Sequence, residues 1–162
     1  MYRYQAFTNS LKTICSVTTV CTTQSMVLKN FFPYRQDEKA KIITVTNKNL
    51  DNQWFKTKGG NDTTDHIFLL SLEEVCEYFG DSQTRLHNKG NQTWLIDDEN
   101  NSNRQAKYNN EFHWWRLRSP GYYKRTSASI SSNGHVYVRG NGVYGRPKDG
   151  GGLRPAFWLN LN

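Results

Sequence analysis

Side chains that bind metal ions or act as nucleophiles are few in this sequence. The four histidines are His66, His87, His113 and His135. No two of them stand at the spacing with which one helix or strand presents a pair of ligands to zinc, so a histidine metal site is not predicted. His66 precedes an apolar run and is expected to be structural, whereas His135 at a hairpin is expected to be exposed.

The cysteines support neither a disulfide framework nor thiol chemistry. They are Cys15, Cys21 and Cys76, an odd number without a C-x-x-C pair. This pattern argues against a disulfide-stapled module and against zinc bound by thiolates. Cys76 also falls on the apolar stripe of a predicted helix, which is the opposite of the electropositive, accessible setting that activates a nucleophile.

Other catalytic patterns are missing as well. The sequence has no G-x-S-x-G turn, and its run of carboxylates at Asp97–Glu99 is expected to lie in a solvated loop. The glycine-rich run "GNGVYGRPKDGGG" matches neither a phosphate-binding loop nor a dinucleotide fingerprint. The sequence therefore predicts a protein that is not an enzyme and that uses no metal ion and no cofactor.

Length and composition indicate one folded domain. With 162 residues, among them five Trp, nine Tyr and eight Phe, the chain can bury a sizeable core and is too aromatic for a disordered segment. No apolar run approaches the roughly 18 residues that span a bilayer. The N-terminal segment has a weak apolar patch without a convincing cleavage site. No signal peptide is predicted, and the protein is expected in the cytoplasm or in a phage or surface assembly.

Positive charge is concentrated in the last third of the chain. Residues 1–111 balance 13 basic against 13 acidic residues, whereas residues 112–162 carry eight basic residues and one acid, Asp149. The eight are Arg116, Arg118, Lys124, Arg125, Arg139, Arg146, Lys148 and Arg154. Such a surface would attract phosphate, an acidic glycan or an acidic protein. Nucleic acid is not the favoured partner, because the sequence has no ribonucleoprotein motif and no helix that bears these charges.

The clearest local signal is "TTDHIFLLSLEEVCEYFGD". The run Ile67–Leu70 predicts a short buried strand, and Ser71 three residues before Glu74 forms a capping box that begins a helix. The apolar residues at helical spacing are Leu72, Val75, Cys76 and Phe79. Gly80 is expected to end the helix. The acidic residues of this unit are expected to serve the scaffold only.

Weaker signals complete the outline. A short helix is predicted at Asp37–Lys41 and a strand at Ile42–Thr46, and Asp81–Asn110 is expected to cross the surface as a long irregular connection. Asn133-Gly134 predicts a tight hairpin. The closing run "LRPAFWLNL" is too apolar for an edge strand. The prediction is a mixed α+β domain with a small, twisted antiparallel sheet, two or so helices and long loops.

The second hairpin strand alternates between apolar and polar residues. Because successive side chains of a strand point to opposite faces, Val136 and Val138 are expected to face the core. His135, Tyr137 and Arg139 are then expected to face outward.

Three segments, in order, carry a family resemblance. They are "TTDHIFLLSLEEVCEYF", "WWRLRSPG" and "GGLRPAFWLNL", with a looser likeness over "LKNFFPYRQDEKAKI". Together they resemble the variable proteins of diversity-generating retroelements, bacterial and phage domains of the C-type lectin fold, a fold shared with the formylglycine-generating enzymes. The likeness is tightest over residues 63–80 and 114–161. It implies a C-type lectin-like domain at 27–162 after a partly ordered segment at 1–26.

In that family the closing segment is copied by an error-prone reverse transcriptase that randomises adenines, so asparagine codons yield mainly Tyr, Ser, Asn, His, Asp, Arg, Gly and Thr. The resemblance therefore implies a variable region at 114–159. Its candidate ligand-binding residues are Tyr122, Tyr123, Lys124, Arg125, Thr126, Ser131, Ser132, His135, Tyr137, Arg139, Asn141, Tyr144, Arg146, Lys148 and Asp149. Lys124 and Lys148 depart from this menu, because an asparagine codon altered only at its adenines cannot encode lysine.

The resemblance also implies a fixed scaffold around these positions. The scaffold residues are Trp114, Trp115, Gly134, Arg154, Pro155 and Trp158. A large apolar side chain contributes about 2 kcal/mol or more when buried, whereas surface substitutions usually change stability by no more than about 0.5 kcal/mol. Exposed residues can therefore change while the fold persists. Tyr and Arg are also the side chains that dominate binding hot spots.

Two departures narrow the expected function. The paired carboxylate–amide ligands and disulfides of calcium-dependent lectins are missing, so sugar binding through calcium is not predicted. The formylglycine-generating enzymes use a cysteine pair in their C-terminal part, where this chain has no cysteine. The leading hypothesis is a calcium-independent, non-catalytic receptor or adhesin that presents a hypervariable surface to a protein or glycan target.

Two alternatives remain. The first is a structural or assembly domain of a phage particle or cell surface, with an acidic partner that contacts an invariant basic face. The second is a nucleic-acid binder, whose affinity would fall steeply with salt.

Overall fold

The computed structural model describes residues 4–9, 12–17, 42–80, 84–87, 94–143 and 151–160. The helix predicted at Asp37–Lys41 lies outside these residues. So do four of the candidate ligand-binding residues, Tyr144, Arg146, Lys148 and Asp149.

Strands dominate the described residues, with three short helices among them. The strands are β1 (Tyr4–Asn9), β2 (Lys12–Val17), β3 (Ile42–Ile43), β4 (Val45–Asn47), β5 (Thr63–Asp65), β6 (Phe68–Leu69), β7 (Leu95–Ile96), β8 (Ala106–Tyr108), β9 (Glu111–His113), β10 (Trp115–Pro120), β11 (Thr126–Ile130), β12 (Val136–Gly142), β13 (Gly152–Leu153) and β14 (Pro155–Asn160). The helices are α1 (Leu72–Phe79), α2 (Thr84–His87) and α3 (Asn101–Arg104). The predicted mixed α+β class is confirmed.

The closing strand β14 lies inside the first sheet. It pairs with β2 on one side and with β3 and β6 on the other, all antiparallel, and β1 extends the sheet beyond β2. Ala156 and Phe157 of this strand are buried. The expectation that this apolar strand avoids an edge is confirmed. The N-terminal hairpin β1–β2 thus belongs to the same sheet as the end of the chain.

The second sheet carries most of the candidate surface. Its strand order is β13-β10-β11-β12-β7, with β10 and β13 parallel and the other pairs antiparallel. Two small ribbons, β4–β5 and β8–β9, complete the described strands. The predicted hairpin is the β11–β12 pair, and the turn at Asn133-Gly134 joins its two strands.

Helix α1 forms as its capping box predicts. The Ser71 hydroxyl accepts a hydrogen bond from Glu74 N at 3.1 Å, and the Glu74 carboxylate accepts one from Ser71 N at 2.8 Å. Gly80, with φ at 126°, ends the helix in a conformation that side chains rarely adopt. All four apolar residues predicted on the inner face are buried, including Cys76. The predicted strand before the helix is present as the shorter β6.

The expectation of an irregular surface connection over Asp81–Asn110 is wrong for the parts that the structure describes. Residues 84–87 and 94–110 include α2, β7, α3 and β8, and they bury Leu86, Ile96 and Arg104 completely or nearly so. The polar composition of this segment did not predict its secondary structure. One of its core residues is the buried Arg104, where an apolar residue would be expected. No helix in the described ranges has the length and apolar character needed to cross a bilayer.

Candidate ligand-binding surface

Strand β12 separates a buried face from an outward face. Val136 and Val138 are fully buried. Tyr137 is half-buried, and Arg139 and Asn141 are exposed. The predicted alternation is therefore confirmed, and the side chains on the outward face can differ without changing the ones that fill the core.

The turn of the β11–β12 hairpin is fixed by backbone contacts. Ser131 N donates to the His135 carbonyl and Gly134 N donates to the Ser131 carbonyl, both at 2.9 Å. Gly134 has φ at 86°. A Cβ atom at this position would overlap the carbonyl oxygen of Asn101. Position 134 therefore requires glycine for two reasons: its φ is positive, and a side chain would collide with the backbone of Asn101.

The pairing of β11 with β12 contains a bulge, and backbone groups of β12 at this bulge contact the 52–57 loop and the loop between β10 and β11. Ser127 faces Asn141 and Ser129 faces Tyr137, so β12 has the longer stretch between these pairs. Gly140, with φ at 70°, lies in that stretch against the backbone of Ser127. Because this bulge turns carbonyls away from β11, the chain can use them to hold other segments.

The two freed carbonyls bind groups from elsewhere in the chain. The Arg139 carbonyl accepts a hydrogen bond from Tyr122 N at 2.8 Å. The Val138 carbonyl accepts one from Asn52 Nδ2 at 3.1 Å, and the same amide nitrogen donates to the Pro120 carbonyl at 2.7 Å. Asn52 is buried, and its amide oxygen accepts from the backbone N–H of Phe55 at 3.2 Å. One asparagine therefore ties the 52–57 loop to β12.

The loop between β10 and β11 is closed on itself. Gly121 N donates to the Thr126 carbonyl at 2.9 Å, and Thr126 N donates to the Tyr123 carbonyl at 2.9 Å. The Thr126 hydroxyl accepts from Tyr123 N and donates to the Tyr123 carbonyl. Thr57 Oγ1 donates to the Tyr122 carbonyl at 2.9 Å. Thr126, a candidate ligand-binding residue, thus shapes this loop and is only partly exposed.

Four rings meet where these segments converge, and we call them the aromatic cluster: Phe55, Trp94, Tyr122 and Tyr123. The ring of Phe55 lies 4.8 Å from that of Tyr122 and 5.2 Å from that of Trp94, and the two tyrosine rings are 4.3 Å apart. The guanidinium of Arg139 lies 5.5 Å from the Tyr122 ring. Tyr123 is 59% exposed and Tyr122 39%. The cluster is an accessible apolar surface next to a cation.

Ser131, Ser132 and His135 lie at the opposite end of the β11–β12 hairpin, whereas Lys124 and Arg125 lie in the same loop as Tyr122 and Tyr123. The Ser131 hydroxyl accepts from His135 N at 3.1 Å, and the Ser132 carbonyl accepts from Gln105 Nε2 at 3.2 Å. His135 Nε2 lies 3.4 Å from a carboxylate oxygen of Asp97, and its side chain is partly buried rather than fully exposed. The structure therefore divides the candidate set into two groups, with Tyr137 between them on the outward face.

Two basic residues of the last third are engaged in holding strands together. Arg118 binds both carboxylate oxygens of Glu74, at 2.5 and 2.9 Å, which joins β10 to the start of α1. Arg116 donates to the Gly142 carbonyl at 2.6 Å and to the Ser127 hydroxyl at 3.0 Å. Partial burial lowers the pKa of Arg116. The positive charge predicted for a binding face is thus partly structural.

Arg154 is buried within the core. Its guanidinium lies 4.7 Å from the ring of Phe79 and 4.9 Å from that of Trp115. Nη1 donates to the Arg104 carbonyl at 3.2 Å, and the Trp115 indole nitrogen donates to the same oxygen at 3.0 Å. Burial lowers the pKa of Arg154 to about 9, so the residue is protonated at neutral pH. Trp115 and Arg154, which the resemblance implies are scaffold residues, are both fully buried.

The other expected scaffold residues are buried or half-buried. Pro155 is buried, and Trp158 is half-buried with its ring 6.3 Å from that of Tyr78. Trp114 is half-buried, and its indole lies where a Cβ atom at Gly151 would have to be.

Sequence reasoning missed the charged pair at the centre of the 94–104 segment. Asp98 and Arg104 form an ion pair whose side chains are 2% and 0% exposed. Arg104 Nε also donates to the Gly134 carbonyl at 2.9 Å, which fixes the hairpin turn. The expectation of a solvated loop is therefore wrong for Asp98, although Asp97 and Glu99 are exposed. A buried pair of this kind has no local sequence signal.

Phe55, Trp94 and Asn52 were not predicted to belong to the site either. They lie in polar, asparagine-rich segments far from residues 114–159 in sequence, and only the tertiary structure brings them to Tyr122. Trp94 has φ at 61°, a conformation uncommon for an aromatic residue, while its carbonyl accepts from Val138 N at 3.0 Å. In the described part of the chain, no three His, Cys, Asp or Glu side chains are grouped so as to bind a metal ion.

The fold and this surface define a mixed α+β domain with an exposed aromatic and basic face. Residues 19–161 match the family model of a domain of unknown function, DUF6273, and the chain therefore belongs to that family. No curated protein and no solved structure matches the chain.

Proposed function

We propose that this protein is a non-catalytic binding protein with a C-type lectin-like fold, whose outward surface between residues 122 and 149 is diversified in sequence to bind protein or glycan targets. The observation that carries the proposal is the division of β12. Val136 and Val138 are 0% exposed, whereas Arg139 and Asn141 are exposed on the other face. A surface that must change requires this independence from the core.

The contacts between the three segments that carry the family resemblance support the same proposal. These segments form α1, β10 and β13–β14. Glu74 on the first binds Arg118 on the second, and Arg154 on the third lies against the ring of Trp115 on the second. The resemblance therefore rests on residues that contact one another around one core.

Sequencing the gene across a natural population of its source tests the proposal. The substitution density in codons 122–149 is compared with that in codons 63–80, which encode β5, β6 and α1 with their connections. We expect a sharp excess confined to outward positions such as Tyr123, Tyr137 and Arg139. Val136 and Trp115 should remain unchanged. Equal densities in the two regions would contradict diversification.

An assembly domain with a fixed partner is the second candidate. It is favoured by the exposed cations Lys124 and Arg139, which would suit an acidic partner surface. This candidate predicts an invariant surface and a stable stoichiometric complex. Equal substitution densities in the population would therefore favour it over a diversified receptor.

A further inference from the structure

The aromatic cluster combines residues from inside and outside the candidate variable region. Tyr122 and Tyr123 lie within residues 114–159, whereas Phe55 and Trp94 lie outside it. We infer that the cluster is the contact point for a protein partner that presents an apolar side chain flanked by carboxylates, and that Phe55 and Trp94 form its invariant half. This inference rests on the proposed binding function and names the partner chemistry of that same surface.

The ring geometry favours a protruding side chain over a flat ligand. The planes of Phe55 and Tyr122 cross at 83°, those of Tyr122 and Tyr123 at 72°, and those of Phe55 and Trp94 at 44°. Pyranose rings and nucleobases bind best on open, flat ring faces. Crossed rings instead form an uneven apolar surface, which suits the apolar side chain of a protein.

The segments that form the cluster carry only positive charge. The segments that meet there, residues 52–58, 94–96, 121–126 and 138–143, have five basic residues and no acidic one. Lys58 is paired with Asp51 from the neighbouring loop. Lys56, Lys124 and Arg139 are exposed, and the Arg139 guanidinium lies over the Tyr122 ring. Charge complementarity therefore requires carboxylates on the partner next to the group that meets the rings.

The cluster is also preorganised. Asn52 holds the backbone of Phe55, and the backbone of Tyr122 is bonded at both its N–H and its carbonyl, to Arg139 and Thr57. A surface held in its binding geometry loses little conformational entropy on association. Tyrosine and arginine in such a setting are the residue types that contribute most to binding.

The division into two halves has a functional consequence. Substitution at Tyr122, Tyr123 or Arg139 would change which partner fits, while Phe55 and Trp94 would keep an apolar contact available to every variant. Residues inside the candidate variable region then determine specificity, and residues outside it supply a basal affinity common to all variants.

A displayed library of random dodecapeptides, selected on the immobilised full chain, tests the inference. We expect the selected peptides to be enriched in Asp and Glu next to Leu, Ile, Phe or Trp. Binding of one such synthetic peptide should fall about tenfold or more in Tyr123→Ala and in Trp94→Leu. Because Phe55 packs against the core, Phe55→Leu replaces an alanine variant there, and each variant is first checked for an unchanged unfolding midpoint.

The β8–β9 ribbon provides matched controls. Tyr108 is 46% exposed, comparable to Tyr123, and the exposed Lys107 matches Lys124. Tyr108→Ala should leave peptide binding unchanged, and Lys124→Glu should weaken it while Lys107→Glu does not. Equal effects of the two tyrosine variants, failure to select any acidic peptide, or preferential binding of polygalacturonate or of oligothymidylate would overturn the inference.

The outcomes for the inference and for the proposed function are separable. Acidic peptides that bind through Tyr137 and His135 instead of the cluster would refute the inference and leave a diversified surface intact. Peptide binding at the cluster, combined with equal substitution densities in the population, would refute diversification and leave the inferred contact in place.

Discussion

The indole nitrogen of Trp115 donates a hydrogen bond to the backbone carbonyl of Arg104 at 3.0 Å. Trp115 begins β10, and Arg104 ends α3. Because Arg154, 50 residues further along the chain, donates to the same oxygen, three segments meet at one carbonyl. Trp115 and Arg154 are both buried, so this junction lies in the core and not on the exposed face of β12.

Replacing Trp115 by Phe tests this junction. Phe keeps most of the apolar volume but removes the N–H donor, so the variant should lose about 2–3 kcal/mol of unfolding free energy through the lost bond and the space left behind. Trp114→Phe, at a half-buried site, should cost less than about 1 kcal/mol. Urea unfolding measures both. Equal losses for the two variants would show that the bond to Arg104 contributes nothing.

The two glycines Gly134 and Gly60 separate backbone strain from close packing. Both have positive φ, 86° and 91°, but only at Gly134 would a Cβ atom meet another residue, the Asn101 backbone. Gly60→Ala should cost about 1 kcal/mol from conformation alone. Gly134→Ala should cost at least about 2 kcal/mol more, because the turn must move away from Asn101. Thermal unfolding of both variants measures the difference, and a difference near zero would contradict the close approach.

Replacing Asn52 by Asp tests the link between the 52–57 loop and β12. Asp keeps the acceptor for Phe55 N but cannot donate to the carbonyls of Pro120 and Val138, and its charge would face their oxygens. The expected loss is about 3 kcal/mol or more. Asn103→Asp is the control, because its amide makes one bond, to the Phe79 carbonyl, from an exposed position. Chemical denaturation that gave equal losses would exclude Asn52 as the link.

Tyr78 predicts a stability loss at alkaline pH. Burial, aided by the charges of Glu77 and Glu74, raises the pKa of Tyr78 to about 12. The unfolded value is about 10, so the folded state keeps a proton that the unfolded state releases in between. This contribution is complete below pH 10 and is lost as the pH rises towards 12.

The variant Tyr78→Phe isolates that contribution. Its unfolding free energy should fall less steeply than that of the parent protein between about pH 10 and pH 12, since it lacks the titrating hydroxyl. Tyr108→Phe, at an exposed position, should follow the parent protein. Identical slopes for all three proteins would contradict the shift assigned to Tyr78.

Features with a local pattern were predictable from the sequence. The capping box of Ser71 and Glu74 predicted the start of α1, and Asn133-Gly134 predicted the hairpin, because both signals depend on residues within a few positions of each other. The period-two alternation around Val136 predicted which face of β12 is buried.

The missing features depend on contacts between distant residues. The bulge in β12 and the hydrogen bonds of Asn52 bring Phe55 and Tyr122 together. No residue pattern within either segment predicts this contact. The burial of Arg104 was missed for a related reason, because a charged residue enters a core only when a partner such as Asp98 accompanies it.

The central claim is that the outward face of β12 and its neighbouring loop can change without loss of the fold. Its most direct test is the thermal unfolding midpoint of single variants to serine at Tyr123, Tyr137, Arg139 and Asn141, beside Val138→Ser on the buried face. We predict shifts within about 2 °C for each outward variant, equivalent to about 0.5 kcal/mol, and a drop of about 6 °C or more for Val138→Ser. Outward variants that lose as much stability as Val138→Ser would contradict the claim.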